Sequence, residues 1–435
     1  MNLSAISIQT FFGVFLLIGL TRLFSEDKKI INWKLIIYAF ILQNILFLGI
    51  HYIPFIHQGL RHFSHLLIGI LDSANYGASQ VFGNFVDRDK YGFVFTLVVV
   101  PILIFIGALI GILYFLGIIQ WLIHGLAFLL RRSIKLSGVE SLVIIADIFL
   151  GQSEGPLVIG PYIKSMTRSE LALAFTAGLA NISGSTLVIY LIFLANNNPA
   201  ESDIFANYLI TASFMNAVSA IIFSKILFPE NNFENVSSEK IKIIKHSHSS
   251  LIDSIYQGVM NGLRIGATLI AFLIAITSLI HMIDSLLSYI GNITHINNFI
   301  KESSNSVFNN LSVEYILGQL FRIFAFFMGI SWSETLNVGS LLGQKVALNE
   351  LIAYISLSKM KTANLLSQHA VIVSTFALAS FSNFSSIGIS LGAFSVLAPS
   401  RQKELSTIAW KCLFGAVMAG FLTATIASFW INILK

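Results

Sequence analysis

The chain is built from a succession of apolar runs, each close to the roughly 20 residues an α-helix needs to cross a bilayer. Short polar segments join them, which leaves little sequence for a folded domain outside a membrane. Composition agrees: mean hydropathy is +0.80, and 55% of the 435 residues are hydrophobic against 11% charged. That charged share is under half the ordinary ~25% of soluble domains. The expected fold is therefore an all-α polytopic membrane protein; its length leaves room for roughly eight to ten spans, and the order of apolar runs gives about eight transmembrane helices.

The basic residues fix an expected topology. Lys28, Lys29 and Lys34, then Arg131, Arg132 and Lys135, then Lys164 and Arg168, then Lys240, Lys242 and Lys245, and finally Arg401, Lys403 and Lys411 all fall between apolar runs. The positive-inside rule puts these loops in the cytoplasm. The run from Asn196 to Asp203 has no Lys or Arg and suits the outside, and both termini are expected to be periplasmic. The pI of about 9.1 thus reflects topology and points to no nucleic-acid partner. The single cysteine, Cys412, excludes a disulfide framework and a cysteine-based metal site. No small-residue cleavage site follows the first apolar run, so it is read as a span and not as a signal peptide. Residues 57–90 are only moderately polar and read as a helix lying in the interface; His57, His62 and His65 there lack the spacing of a metal site.

One stretch cannot continue as a helix. Gly151-Gln152-Ser153-Glu154-Gly155-Pro156 puts two glycines and a proline around a polar triplet inside an apolar run. Basic residues stand on both sides of residues 137–164, so the segment is expected to enter and leave on one side, as a re-entrant hairpin. At membrane depth such a break has to be buried in protein or line a wet cavity, which makes Glu154 a candidate functional residue. A second unit repeats the design. Residues 318–354 are interrupted by Gly329, Gly339 and Gly343 and carry Glu350, while Ser382-Asn383-Phe384-Ser385-Ser386-Ile387 matches Ala180-Asn181-Ile182-Ser183-Gly184-Ser185 of the first unit. The first unit enters from the cytoplasm and the second from outside, an inverted repeat whose site is expected near the midplane. The chain divides accordingly into N-terminal scaffold spans with an interfacial helix (1–135), a first repeat of hairpin plus two spans (136–228), a linker, amphipathic helix and central scaffold span (229–312), and a second, inverted repeat (313–435).

Several motifs in one order resemble the concentrative nucleoside transporter family over nearly the whole chain. Gly151 to Pro156 resembles the family's GQTEAP, Met166-Thr167-Arg168-Ser169-Glu170-Leu171 its MTRSEL, Leu348 to Tyr354 its LNEFVAY, and Phe381 to Gly388 its FANFSSIG. The resemblance implies a homotrimer, with eight spans and two opposed hairpins per protomer. It implies that Gln152, Ser153 and Glu154 bind a nucleobase, that Thr186 also meets the substrate, that Glu350, Asn383 and Ser386 hold ribose hydroxyls, and that Phe381 packs on the sugar side. It places a coupling cation, Na+ or H+, at Asp147, Leu150, Asn181 and Ile182, with no other cofactor. Asp147 stands where the family commonly has Asn, Ser153 where it has Thr, Gly155 where it has Ala, and Asn181 where it has Ser or Thr.

The expected function is import of nucleosides across a bacterial inner membrane by cation symport with alternating access. A transporter of a related solute, such as a nucleobase or nucleotide sugar, is the rival reading. An intramembrane enzyme using the two glutamates is disfavoured because no His or Cys accompanies them and no HExxH spacing occurs.

Overall fold

The computed structural model describes residues 3–91, 94–134, 136–195, 198–231, 250–304 and 307–434. Two helices open the chain, α1 (Leu3–Leu23) and α2 (Trp33–Tyr52). The long α3 (Pro54–Phe82) follows, started by a proline whose missing N–H costs nothing at a helix start. The short α4 (Arg88–Tyr91) leads into α5 (Phe95–Phe115) and α6 (Ile118–Ile134). The region read as one span over residues 91–120 is thus α5 alone, ended at Gly117 (φ 77°), and α6 is a separate amphipathic helix.

The first hairpin is α7 (Gly138–Phe149) and α8 (Gly155–Val158), and the span after it is broken into α9 (Arg168–Ala180) and α10 (Gly184–Ala195). Both α7 and α9 begin in capping boxes, Ser137 with Glu140 and Thr167 with Glu170, which satisfy orphan N–H groups at starts surrounded by protein. α11 (Pro199–Leu227) returns the chain. The polar loop carrying Lys240, Lys242 and Lys245 lies outside the described residues, as do Lys135 and Asn196. α12 (Leu251–Ile293) is one continuous helix where the sequence suggested an amphipathic piece and a separate span. Its glycines do not break it; they bring it against α5. A Cβ on Gly262 would stand 2.2 Å from Leu103 O and one on Gly107 2.2 Å from Gly258 O, so the two backbones touch through small residues.

After α13 (Ile296–Ser303) and α14 (Val313–Phe327) comes the second hairpin, α15 (Thr335–Ala347) and α16 (Glu350–Thr362). Of the three glycines read as interruptions, only Gly329 (φ 86°) turns the chain. Gly339 and Gly343 sit inside α15 and let α14 approach: a Cβ on Gly339 would be 2.5 Å from Gly318 O. The second broken span is α17 (Gln368–Leu378) and α18 (Phe384–Leu397), and α19 (Gln402–Ile433) closes the chain. Among the described residues seven segments are long and apolar enough to cross a membrane, and the shorter apolar helices α17 and α18 together supply the eighth.

The two units are interlaced. α7 packs on α9 and α15 on α17, while α10, the far arm of the first broken span, packs on α16, and α18, the far arm of the second, packs on α8 and α9. At one end of the bundle Lys225 of α11 pairs with Glu140 and donates to Ser169 Oγ at 2.9 Å, all three buried. Outside the spans, Glu26 accepts from Arg168 at 2.8 and 3.0 Å. That guanidinium, more than the nearby Lys411, holds the Glu26 carboxyl below its usual range. A carboxyl held low stabilises the fold above its unfolded pKa, and the contribution is lost as pH falls through the folded value. Being largely exposed, this pair contributes at most about 1 kcal/mol. The buried pair is different: Lys225→Met leaves Glu140 charged without its partner and is expected to cost about 3–5 kcal/mol, read as an earlier unfolding midpoint in a denaturing-detergent titration of the purified protein. An unchanged midpoint would contradict the pairing.

Candidate substrate and cation site

The site grows from the four places where helices stop. α7 ends at Phe149, and Gly151, at φ 77°, makes a left-handed turn open to a residue without Cβ. A Cβ there would lie 2.8 Å from Ser183 Cβ and 3.3 Å from Phe381 Cε2, so the tip of the first hairpin touches both broken spans. The breaks are also bonded to each other: Phe381 N–H donates to Asn181 O at 3.2 Å. Gln152, buried at the tip, reaches across with its amide, donating to Ser386 Oγ at 3.1 Å and accepting from Ser390 Oγ at 3.1 Å. Ser153 is exposed and Glu154 half-buried, and neither makes a side-chain hydrogen bond among the described residues.

The second hairpin brings its acid to the same place. Glu350 is the first residue of α16, where the positive end of a helix favours a carboxylate. Its carboxylate accepts from the Tyr190 hydroxyl at 2.9 Å and from Asn383 Nδ2 at 2.7 Å. Asn383 caps α18, its Oδ1 accepting from Ser386 N–H at 2.9 Å and from Ser385 Oγ at 2.7 Å. The cap leaves the amide nitrogen as the only end free to face Glu350. Tyr190 stacks on Tyr354 at 4.3 Å, and the Tyr354 hydroxyl donates to Thr375 O at 2.8 Å. Thr186, one turn before Tyr190, donates to Ser183 O at 2.9 Å.

The other side of the site is short of donors. Asp147 and Asn181 are fully buried, and both Asp147 carboxylate oxygens and Asn181 Oδ1 have no hydrogen-bond partner among the described residues. Leu150 and Ile182, buried beside them in sequence, offer only backbone carbonyls. Asp147 stands against the last turn of α9: a Cβ on Gly178 would lie 3.7 Å from its Oδ2. It also stands against α8, where a Cβ on Gly155 would fall 1.8 Å from Oδ1. The two departures noted in the sequence, Asp147 and Gly155, are therefore one local arrangement, the glycine leaving the space its neighbouring carboxylate fills. Three buried acceptors facing a helix C-terminus make a region that favours a cation.

Of the residues singled out in the sequence, the structure joins Gln152 with Ser386, Glu350 with Asn383, and Phe381 with Asn181 through its backbone. Tyr190 and Ser390 were not foreseen. The signal for each was helical spacing, Tyr190 four residues after Thr186 and Ser390 four after Ser386, which puts each pair on one helix face. Lys345 is fully buried near the second break.

Two hairpins and two interrupted spans converging on buried carboxylates and amides define the architecture of a secondary transporter. Family models confirm it: "Na+ dependent nucleoside transporter N-terminus" matches residues 12–85, "Nucleoside recognition" residues 96–197 and "Na+ dependent nucleoside transporter C-terminus" residues 208–428. The chain belongs to the concentrative, Na+-dependent nucleoside transporter family and is a multi-pass membrane protein. It is 31% identical over 431 residues to the putative nucleoside permease NupX of Escherichia coli, covering 97% of this chain and 98% of that one. It is also 31% identical to the nucleoside permease NupC of Helicobacter pylori, over 97% of each chain. Among solved structures, CNTnw in an inward-facing substrate-bound state matches with a TM-score of 0.87 at 31% identity, covering 98% of both chains. These relatives are transporters, not enzymes.

The Asp147–Gly155 contact is testable by a double-mutant cycle. Gly155→Ala is expected to cost roughly 1–3 kcal/mol of stability, as overpacking does, and under about 0.5 kcal/mol when Asp147 is already alanine. Equal costs in both backgrounds would show that the carboxylate does not occupy that space.

Proposed function

We propose that this protein imports nucleosides by sodium symport, binding its substrate between the two hairpin tips. The observation that carries this reading is the convergence of Gln152 from the first hairpin and Glu350 from the second on the same broken span, at Ser386 and Asn383. Glu350 accepts from vicinal ribose hydroxyls, Asn383 and Ser386 complete the sugar's hydrogen bonds, and Phe381 packs against its apolar edge. Gln152, Ser153, Glu154 and Thr186 bind the base; the exposure of Ser153 and the partial exposure of Glu154 suit groups that wait for a ligand. A solute lacking a ribose hydroxyl leaves Glu350 short of a partner and is bound less well.

Sodium is the coupling ion supported by the family and by the chemistry of the first unit. A proton on Asp147 creates one donor and leaves the remaining orphan oxygens unsatisfied. A metal cation takes several oxygens at once, from Asp147, the Asn181 side chain and the backbone at Leu150 and Ile182. In this reading residues 136–228 and 313–435 form the two inverted repeats that carry the site, and 1–135 with 229–312 form the scaffold. The protein works as a homotrimer in a bacterial inner membrane with both termini in the periplasm, moving the hairpin units between outward- and inward-facing positions.

The reading is checked in proteoliposomes with radiolabelled uridine and adenosine. A sodium gradient is expected to drive accumulation that Glu350→Gln and Glu154→Gln each reduce at least 100-fold. Uptake that survives both substitutions, or that goes to nucleobases or nucleotide sugars instead, would sink the substrate assignment. Accumulation that ignores sodium and follows an imposed pH gradient would sink the choice of ion.

A further inference from the structure

The two units carry opposite charges at corresponding points. Asp147 is the third-last residue of α7 and Lys345 the third-last of α15, the helix of each hairpin that packs on the near arm of its own broken span. Both side chains are fully buried. Each addresses the last turn of that arm: Asp147 lies against Gly178 near the end of α9, and Lys345 Nζ donates at 2.8 Å to Ala377 O near the end of α17. Among the described residues Lys345 makes no ion pair.

The surroundings of the ammonium form a built pocket. A Cβ on Gly420 of α19 would lie 3.1 Å from Lys345 Nζ, 3.3 Å from Ala377 O and 3.3 Å from Ser380 Oγ, so these three polar atoms gather around a space that only glycine leaves open. The Phe421 ring centroid is 5.8 Å from Nζ. The next free carbonyl of the break, Ala379 O, accepts from Asn216 Nδ2 at 2.5 Å. The second break is therefore supplied with donors, whereas the first leaves three acceptor oxygens without any. Burying an ammonium away from a carboxylate is costly, and the negative end of α17 together with these oxygens is what offsets it here.

We propose that Lys345 is a resident cation: in the second unit its ammonium does what the coupling cation does at Asp147 and Asn181 in the first. It holds the α17–α18 break, and through it Asn383 and Glu350, in the binding geometry. The first unit alone then waits for an ion, which limits ion dependence to one side of the site. Lys345 is a positioning residue and does not touch the substrate. The inference rests on the proposed cation and nucleoside sites, and its tests are made at fixed sodium so that the choice of coupling ion does not enter.

In detergent-purified protein, Lys345→Met is expected to raise the nucleoside Kd at least tenfold at saturating sodium. Gly420→Ala, which keeps the charge and sets a methyl group against it, is expected to raise it at least threefold. Lys345→Ala empties the pocket, and methylammonium is expected to recover most of the affinity that variant loses while neutral methanol is not, which separates the charge from the filled space. A Kd within threefold of wild type for Lys345→Met, or an unchanged Kd for Gly420→Ala should the methionine variant not fold, would overturn the proposal. So would a Lys345→Ala protein that methylammonium does not rescue. If the wild type binds no nucleoside, the transport reading has failed, and the lysine is judged without substrate: methylammonium should raise the Tm of Lys345→Ala by about 2 °C or more relative to its effect on wild type. Equal shifts in the two proteins would overturn the proposal.

Discussion

A peptide group that leaves its helix inside apolar surroundings must find a partner there, because no solvent stands by to supply one. This chain has two hairpin tips and two interrupted spans, and the rest of the bundle is arranged around satisfying them. The bond from Phe381 N–H to Asn181 O ties one interruption to the other, and Gly151 presses the first tip against both. The exchange of far arms, α10 to the second hairpin and α18 to the first, follows from that tie. Binding groups from both units are thereby held together without any of them lying on a long helix that could supply its own partners.

The two units solve the problem unequally. The Glu350 carboxylate and the carbonyls of Ala377 and Ala379 at the second break have donors from the protein, supplied by Tyr190, Asn383, Lys345 and Asn216. Around Asp147 the donors are missing. In the proposed reading the unit better supplied with donors holds the ribose, and the other is completed by the cation that arrives with the substrate. Coupling is then a matter of electrostatics, since orphan oxygens at a helix C-terminus favour a bound cation and the tip they support carries Gln152.

Much of this was legible in the residues, and the reasons differ from place to place. The membrane class and the eight spans followed from run length. The hairpin tip and the Glu350–Asn383 pairing followed from glycine, proline and isolated polar residues, which have few roles inside apolar helices. Glycine was also the main source of error. Gly339 and Gly343 read as interruptions, but they are contact points where α15 meets α14, as Gly258 and Gly262 are where α12 meets α5, and one sequence cannot separate the two uses. The link between Asp147 and Gly155 was visible only as two separate oddities, because the path of the seven residues between them decides whether they touch. Lys345 was hidden for another reason: a lysine near a polar loop ordinarily faces water, and only the packing of α15 under α17 and α19 shows that this one does not.

In the proposed reading the cation side and the nucleoside side of the site are two parts of one object, each completing the other. Calorimetric titration of uridine or adenosine into the purified protein across a range of sodium concentrations at constant ionic strength tests it most directly. Sodium is expected to tighten nucleoside binding and nucleoside to tighten sodium binding by the same factor, as linkage requires, with Asp147→Ala abolishing both effects. Nucleoside binding that is independent of sodium, or whose response to sodium survives the loss of the Asp147 carboxylate, would contradict it.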